Sequence, residues 1–178
     1  MRKVILYIAQ SLDGKIARMN GDVDWLDKVH SVENEDYGYA SFYESIDTTL
    51  MGNRTYEKIL SFGIEFPYAG KENYVFSQQK GKHDTEHVKF IGDELTSFVR
   101  EIKQEEGKNI WLVGGSEINT LLFNAGLIDE IYLFTMPITV GEGIPLFAGR
   151  LTERQLKLAE VSTYTSGVIC KKYVMKKD

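Results

Sequence analysis

Apolar and polar positions along the chain alternate between two periods, one of strands and one of helices. Positions 4–9, Val-Ile-Leu-Tyr-Ile-Ala, form an unbroken apolar run bounded by Gln10, Ser11 and Asp13, the pattern of a buried first strand. Tyr39, Phe42, Tyr43 and Ile46 recur at i, i+3, i+4 and i+7, which predicts a helix ending before a strand over 48–51. Thr55 reads as the N-cap of a short helix through Leu60, stopped by Gly63. Short strands over 74–76 and 88–91 come next. Asp93 then caps a helix with Leu95, Phe98, Val99 and Ile102 on one face, closed by Gly107. A strand over 109–113 leads through a double glycine to a helix that directs Ile118, Leu121 and Leu122 inward and ends near Gly126, and a strand over 131–138 follows. Finally, 156–163 and 168–175 flank Thr165-Ser166-Gly167 and predict an antiparallel hairpin. The alternation predicts an α/β fold with a mixed, mainly parallel central sheet flanked by helices and an antiparallel C-terminal hairpin.

Three predicted strand ends carry small or polar residues: Met51-Gly52-Asn53-Arg54-Thr55, Phe76-Ser77-Gln78-Gln79 and Val113-Gly114-Gly115-Ser116. In open α/β sheets ligands collect beyond the carboxyl ends of strands, where helices begin. At the Gly114-Gly115 junction two residues without Cβ let a ligand approach the main chain, and the following helix offers N–H groups and its positive dipole end to an anion. The same pattern also serves where a helix packs tightly on a sheet, so the junction alone leaves both readings open. Gly52, Arg54 and Thr55 add main-chain N–H, a cation and a hydroxyl, three ways of meeting a phosphate. Together the strand ends suit a long anionic ligand, or three capped loops.

Composition narrows the classes. With 178 residues, 43% hydrophobic and 26% charged, the chain is expected to form a single domain over 1–178. A net charge of −5 argues against a nucleic-acid partner, and the first apolar run is too short and too interrupted to span a membrane. A single cysteine, Cys170, excludes an intrachain disulfide or a multi-cysteine metal site and fits a cytoplasmic location. His83 and His87 stand four apart beside Asp84 and Glu86, but Lys80-Gly81-Lys82 mark a surface loop, and no metal site is expected. His30 is isolated, and Ser11, Ser77 and Ser116 lack a histidine and an acid at recognisable spacing.

The ordered motifs Ile8-Ala9-Gln10-Ser11-Leu12-Asp13-Gly14-Lys15-Ile16-Ala17, Met51-Gly52-Asn53-Arg54-Thr55-Tyr56, Val113-Gly114-Gly115 and Leu127-Ile128-Asp129-Glu130-Ile131-Tyr132 resemble the dihydrofolate reductase-like superfamily. Within it they resemble the branch containing the reductase domain of the bifunctional riboflavin-biosynthesis deaminase-reductase, over about residues 4–175. The resemblance implies NADPH as hydride donor and a homodimer, with residues 139–147 near the sheet edge and the dimer contact. Ala9 and Ile16 would border the nicotinamide, and Gly52, Arg54 and Thr55 would meet the phosphates. Ser77 and Gln78 would lie near the adenosine end, and Val113, Gly114, Gly115, Ser116, Glu117 and Ile118 along the pyrophosphate and nicotinamide. The Gly-Gly bond would be cis. Two departures stand out. Only Arg54 offers a cation where the family often has one or two directly after the glycine, and Glu117 suits the helix dipole but would repel a nearby pyrophosphate.

For the substrate the expectation is a small flat heterocycle, pterin- or pyrimidine-like. Trp25, Tyr37, Phe42 and Tyr43 would build an aromatic slot for it, although Phe42 and Tyr43 at helical spacing equally suit a core. The riboflavin branch holds a ribose phosphate with basic residues near the first helix, yet 37–47 contains no Arg or Lys. Dihydrofolate reductases hold their pterin with one carboxylate on that helix, and Asp36 falls at its place, either as a catalytic acid or as part of a solvated helix start in the run Glu33-Asn34-Glu35-Asp36. Asp13 either assists proton transfer or stabilises a turn with Gly14. Three readings follow: an NADPH-dependent reductase of such a heterocycle, a genuine dihydrofolate reductase, or a nucleotide-binding module without catalysis.

Overall fold

A computed structural model of the chain describes residues 1–29, 35–79 and 81–176. His30, the acidic run's Glu33 and Asn34, and Lys80 lie outside the described residues. The elements in chain order are β1 (Val4–Ser11), β2 (Lys15–Ala17), α1 (Tyr39–Glu44), β3 (Ile46–Gly52), α2 (Asn53–Leu60), β4 (Glu72–Phe76), β5 (Lys89–Ile91), α3 (Leu95–Ile102), β6 (Asn109–Gly114), α4 (Ser116–Asn124), β7 (Glu130–Met136), β8 (Ile144–Pro145), β9 (Leu156–Thr163) and β10 (Ile169–Met175).

Eight strands form one sheet in the order β5-β4-β3-β6-β1-β7-β10-β9. Every pair from β5 to β7 is parallel, and β10 runs antiparallel to both β7 and β9. The apolar run of β1 lies at the centre, and because successive side chains point to opposite faces it supplies both cores. Val4 and Leu6, fully buried, pack with Ile110, Leu112, Val99 and Leu122 beneath α3 and α4. Ile5 faces the other way with Trp111, Phe42 and Ile46 under α1, and Met51 and Val75 pack there with Tyr56 and Ile59 of α2. Burying an aliphatic side chain of this size contributes about 1.5–3 kcal/mol, which explains why a strand without polar alternation can only sit at the middle.

This winding positions the site. From β3 the chain passes through α2 to β4 on one side, whereas from β6 it passes through α4 and crosses β1 to reach β7 on the other. The adjacent strands β3 and β6 therefore diverge at their carboxyl ends, with helices leaving on opposite faces, and a crevice opens where the direction of winding reverses. The opposite end of the sheet is closed by charge: Arg2, buried, reaches the carboxylate of Asp47, and Lys103 pairs with Asp129 at 2.5 Å.

Several boundaries depart from the periodicity. Ile46 begins β3 and α1 stops at Glu44, so the anticipated fourth position of that helix is a strand residue. Gly52, not Thr55, is the N-cap of α2, and Thr55 lies inside the first turn. Glu94 takes the cap position expected of Asp93. Leu121 is 45% exposed while Leu122 and Phe123 face inward. The ribbon formed by β2 and β8 is missing from the hydrophobic pattern, because strands of three and two residues are too short to show a period.

Candidate functional site

The carboxyl ends of β3 and β6 bring the starts of α2 and α4 together. Thr55 Oγ1 donates to the Gly114 carbonyl at 3.3 Å. A Cβ on Gly52 would come within 3.2 Å of Ile118 Cγ1, and one on Gly115 within 3.2 Å of Thr55 Oγ1, so these glycines let two helix starts approach more closely than side chains permit. Gly114 and Gly115 have φ of 121° and 85°. The bond between them is trans, which corrects the cis form implied by the resemblance. Backbone conformation alone requires glycine here.

Neither α2 nor α4 has a side-chain cap. Their first-turn N–H groups thus converge on one crevice with the positive ends of two dipoles, the arrangement that attracts an anion. Ser116 in the first turn of α4 is 7% exposed, and its hydroxyl has no hydrogen-bond partner among the described residues. Across the mouth, Arg54 of α2 and Glu117 of α4 form an ion pair at 3.5 Å between two exposed side chains. Gly52, Arg54, Thr55, Gly114, Gly115, Ser116, Glu117 and Ile118 are thereby one cluster.

The remaining anticipated cofactor residues lie on or just after β1, β2, β4 and β6. Gly52 is in register with Phe76, so Ser77 and Gln78 follow the neighbouring strand end; the Ser77 N–H donates to Ile91 and its hydroxyl accepts from Gln79 N–H at 3.2 Å. Val113 is half-buried with Tyr68 and Met51 on the α2 side of the sheet. Ala9, half-buried, packs against the cluster that contains Trp25, and Ile16 lies in β2.

The aromatic slot is not open as anticipated. Trp25 is fully buried with Tyr37, Phe134, Met136 and Cys170, and Phe42, 6% exposed, stacks on Tyr7 at 4.1 Å between ring centres. Tyr43 is half-buried, and Tyr39 is 38% exposed and edge-on to both Tyr7 and Trp111 at 6.2 and 6.0 Å. Burial pushes the hydroxyls of Tyr7 and Tyr39 above the usual phenol range. Asp36 is exposed, and its carboxylate accepts the N–H groups of Gly38 (2.9 Å) and Ala40 (3.1 Å), which hold it below the usual carboxylate range. The Ala40 N–H it accepts lies in the first turn of α1, two residues beyond the Gly38 N-cap, so the carboxylate stands at the start of that helix. Asp13 accepts from the Ser11 hydroxyl (2.6 Å) and from the N–H groups of Val140 (2.9 Å) and Gly141 (2.8 Å), and these lower its carboxyl to about 2. These bonds clasp the end of β1 to residues 140 and 141, beyond the local turn with Gly14. Burial pushes the Cys170 thiol up to about 11, which suits a small buried side chain.

Two supporting residues escaped the sequence reading. Asn119, fully buried behind Gly114, donates through Nδ2 to the Leu146 carbonyl at 3.0 Å, and Thr120 donates to the Ala148 carbonyl at 2.9 Å. They tie the first turns of α4 to the segment after β8. A polar pair set between Ile118 and Leu122 on an otherwise apolar face was the available signal. A hollow of about 440 Å³ lined by Phe123, Leu133, Leu146, Phe147, Arg154 and Tyr173 contains none of the anticipated cofactor residues. Among the described residues no helix is long and apolar enough to cross a membrane.

The family model for the RibD C-terminal domain matches residues 69–170. Bacillus subtilis (strain 168) YwjB, an uncharacterized protein, is 39% identical over 167 residues, covering 94% of this chain and 95% of its own. A crystal structure described as "Putative riboflavin biosynthesis protein" from Shewanella sp. PV-4 superposes with a TM-score of 0.85 at 27% identity, over 98% of this chain and 99% of that one. Dihydrofolate reductase from Enterococcus faecalis, complexed with NADP(H), superposes with a TM-score of 0.67 at 14% identity, over 98% of this chain and 97% of that one, a likeness of fold alone. A mainly parallel sheet with an antiparallel C-terminal hairpin, the convergent helix starts and these matches lead to one conclusion: the chain belongs to the RibD C-terminal domain family and has the dihydrofolate reductase-like fold.

Proposed function

We propose that the protein is an NADPH-dependent reductase of a small flat heterocycle of the pyrimidine or pterin class. The observation that carries this reading is the meeting of two uncapped helix starts at the point where the sheet reverses its winding. The residues fit a dinucleotide: glycines that let the two helix starts come close together, a buried Ser116 hydroxyl lacking a partner among the described residues, and the Arg54 cation at the mouth. Gly52, Thr55 and residues 114–116 would hold the pyrophosphate, Arg54 a further phosphate charge, Ser77 and Gln78 the adenosine end, and Ala9 and Ile16 the nicotinamide. When bound, NADPH supplies the hydride. The chain supplies orientation and a dry wall.

Tyr39 is the ring we assign to stack on the heterocycle, since Trp25 and Phe42 are spent in the core. A bare heterocycle fits better than a phosphoribosyl compound. The two lysines that reach α1 are already engaged, Lys71 with the Tyr43 and Ile46 carbonyls and Lys108 with the Glu44 carbonyl. A homodimer accompanies the reading. β9 is an edge strand, and the hairpin exposes Leu158, Val161, Ile169 and Val174; light scattering checks the mass.

Thermal unfolding with NADPH, NADH or no ligand tests the cofactor assignment, because a ligand that binds only the folded chain raises its apparent stability by mass action. A rise with NADPH that exceeds the rise with NADH is expected, followed by NADPH oxidation with an oxidised heterocycle. No rise with either at millimolar concentration refutes the assignment.

A further inference from the structure

Arg54 is the cation that the crevice offers to a phosphate, yet it does not face solvent alone: Nη1 donates to Glu117 Oε1 at 3.5 Å, across the gap between the first turns of α2 and α4. Only one of the two residues has a local justification. Glu117 in the first turn of α4 complements that helix's dipole. Arg54 in the first turn of α2 opposes its own helix dipole, so a helix-stability argument gives no reason for a cation there. What Arg54 gains at this position is proximity to an anion, and within the protein that anion is Glu117.

We infer that Glu117 is an affinity-setting residue of the nucleotide site: its carboxylate occupies the Arg54 guanidinium in the free protein and must yield it when a nucleotide phosphate arrives. This rests on the cofactor reading above and goes beyond it. Binding then exchanges one anion for another at Arg54, so part of the phosphate's attraction is offset by the broken pair. Both side chains are largely exposed, 88% for Arg54 and 75% for Glu117, so the pair is screened and the effect is modest, about two- to fivefold in affinity.

The test is a double-mutant cycle read by direct titration with NADPH and with NADH at low ionic strength. Glu117→Gln keeps the shape of the side chain and removes its charge. It is expected to tighten NADPH about two- to fivefold, and in an Arg54→Ala background the same substitution is expected to change affinity little. A gain confined to NADPH places the 2′-phosphate at Arg54, and a gain shared with NADH places the pyrophosphate there; either supports the competition. Equal tightening in both backgrounds overturns it, because Glu117 would then act on the phosphates directly, independently of Arg54. Wild-type protein that binds NADPH with an affinity unchanged by Glu117→Gln also overturns it. Absence of binding in wild type and every variant refutes the cofactor reading itself, and this inference with it.

Discussion

The Thr55 hydroxyl donates to the Gly114 carbonyl at 3.3 Å, and this bond joins the beginning of α2 to the end of β6. It fixes the spacing of two helix starts that belong to different crossover units. Thr55→Val keeps the volume and removes the donor. The expected cost is about 1 kcal/mol of stability in urea unfolding, with weaker NADPH binding. An affinity equal to wild type would show that the spacing of the two helices does not govern the site.

Gly115 carries φ of 85°, and a Cβ there would press on Thr55 Oγ1 at 3.2 Å. With ψ of 142° the residue sits in a region essentially reserved for glycine, so Gly115→Ala is expected to lose about 1–3 kcal/mol of stability and also to lose NADPH binding. Gly63→Ala is the control for a positive φ away from the site, with φ of 66° and nothing within 4 Å of the Cβ that alanine would add; it should lose stability but bind NADPH as wild type does. If both variants bind equally well, the close approach at Gly115 serves packing and not a ligand.

Much of the fold was legible because its signals are local and redundant. The unbroken run of β1 announced a central strand, and two alternating segments around Thr165-Ser166-Gly167 announced β9 and β10. The clustering of Gly52, Arg54 and Thr55 with residues 114–118 was legible only in part. Each segment advertised a phosphate, but that the two touch follows from β3 lying beside β6, a long-range pairing that no local pattern encodes. The aromatic wall was misjudged for the converse reason. Trp25 lies in a segment with no period, and Tyr39, Phe42 and Tyr43 share one stripe, so nothing local told which ring would be covered by Tyr7 and which left at the edge.

Asp13 makes a pH prediction. Its three bonds, led by the Ser11 hydroxyl, lower its carboxyl from the usual 3.8 to about 2 in the folded chain. A group whose folded value is depressed contributes stability that is complete above the unfolded value and lost as pH falls through the folded one. The contribution should therefore be nearly full above about pH 4, mostly lost by about pH 2 and gone below it. Thermal unfolding of wild type and Asp13→Asn across this window should show the two curves converging as the pH falls. A difference that stays constant from pH 6 to pH 2, about four units, would mean that the clasp does not depend on the carboxylate charge.

Asp36 separates the present reading from true dihydrofolate reduction. Its two acceptor bonds hold the N–H groups of Gly38, the N-cap of α1, and of Ala40 in its first turn, and the amide oxygen of asparagine can accept such bonds as well. Asp36→Asn should then keep both stability and heterocycle turnover near wild type, whereas Asp36→Ala should lose stability at the start of α1. Dihydrofolate turnover by wild type that collapses in Asp36→Asn would instead make this carboxylate the proton-bearing group.

Tyr39 bears the last prediction. Its ring lies edge-on to Tyr7 and Trp111 and stacks with Tyr43 at 5.7 Å, yet more than a third of it is exposed. Neighbouring rings thus hold it in place while one side remains available to a flat ligand. Aromatic contacts contribute about 0.5–1.5 kcal/mol beyond area burial, so Tyr39→Ala should raise KM for the heterocycle about two- to tenfold, while the NADPH affinity stays unchanged. Tyr39→Phe keeps the ring and should restore KM. If the phenylalanine variant instead loses kcat at constant KM, the hydroxyl moves a proton, and the substrate must lie with an acceptor atom against Tyr39 in place of a ring face.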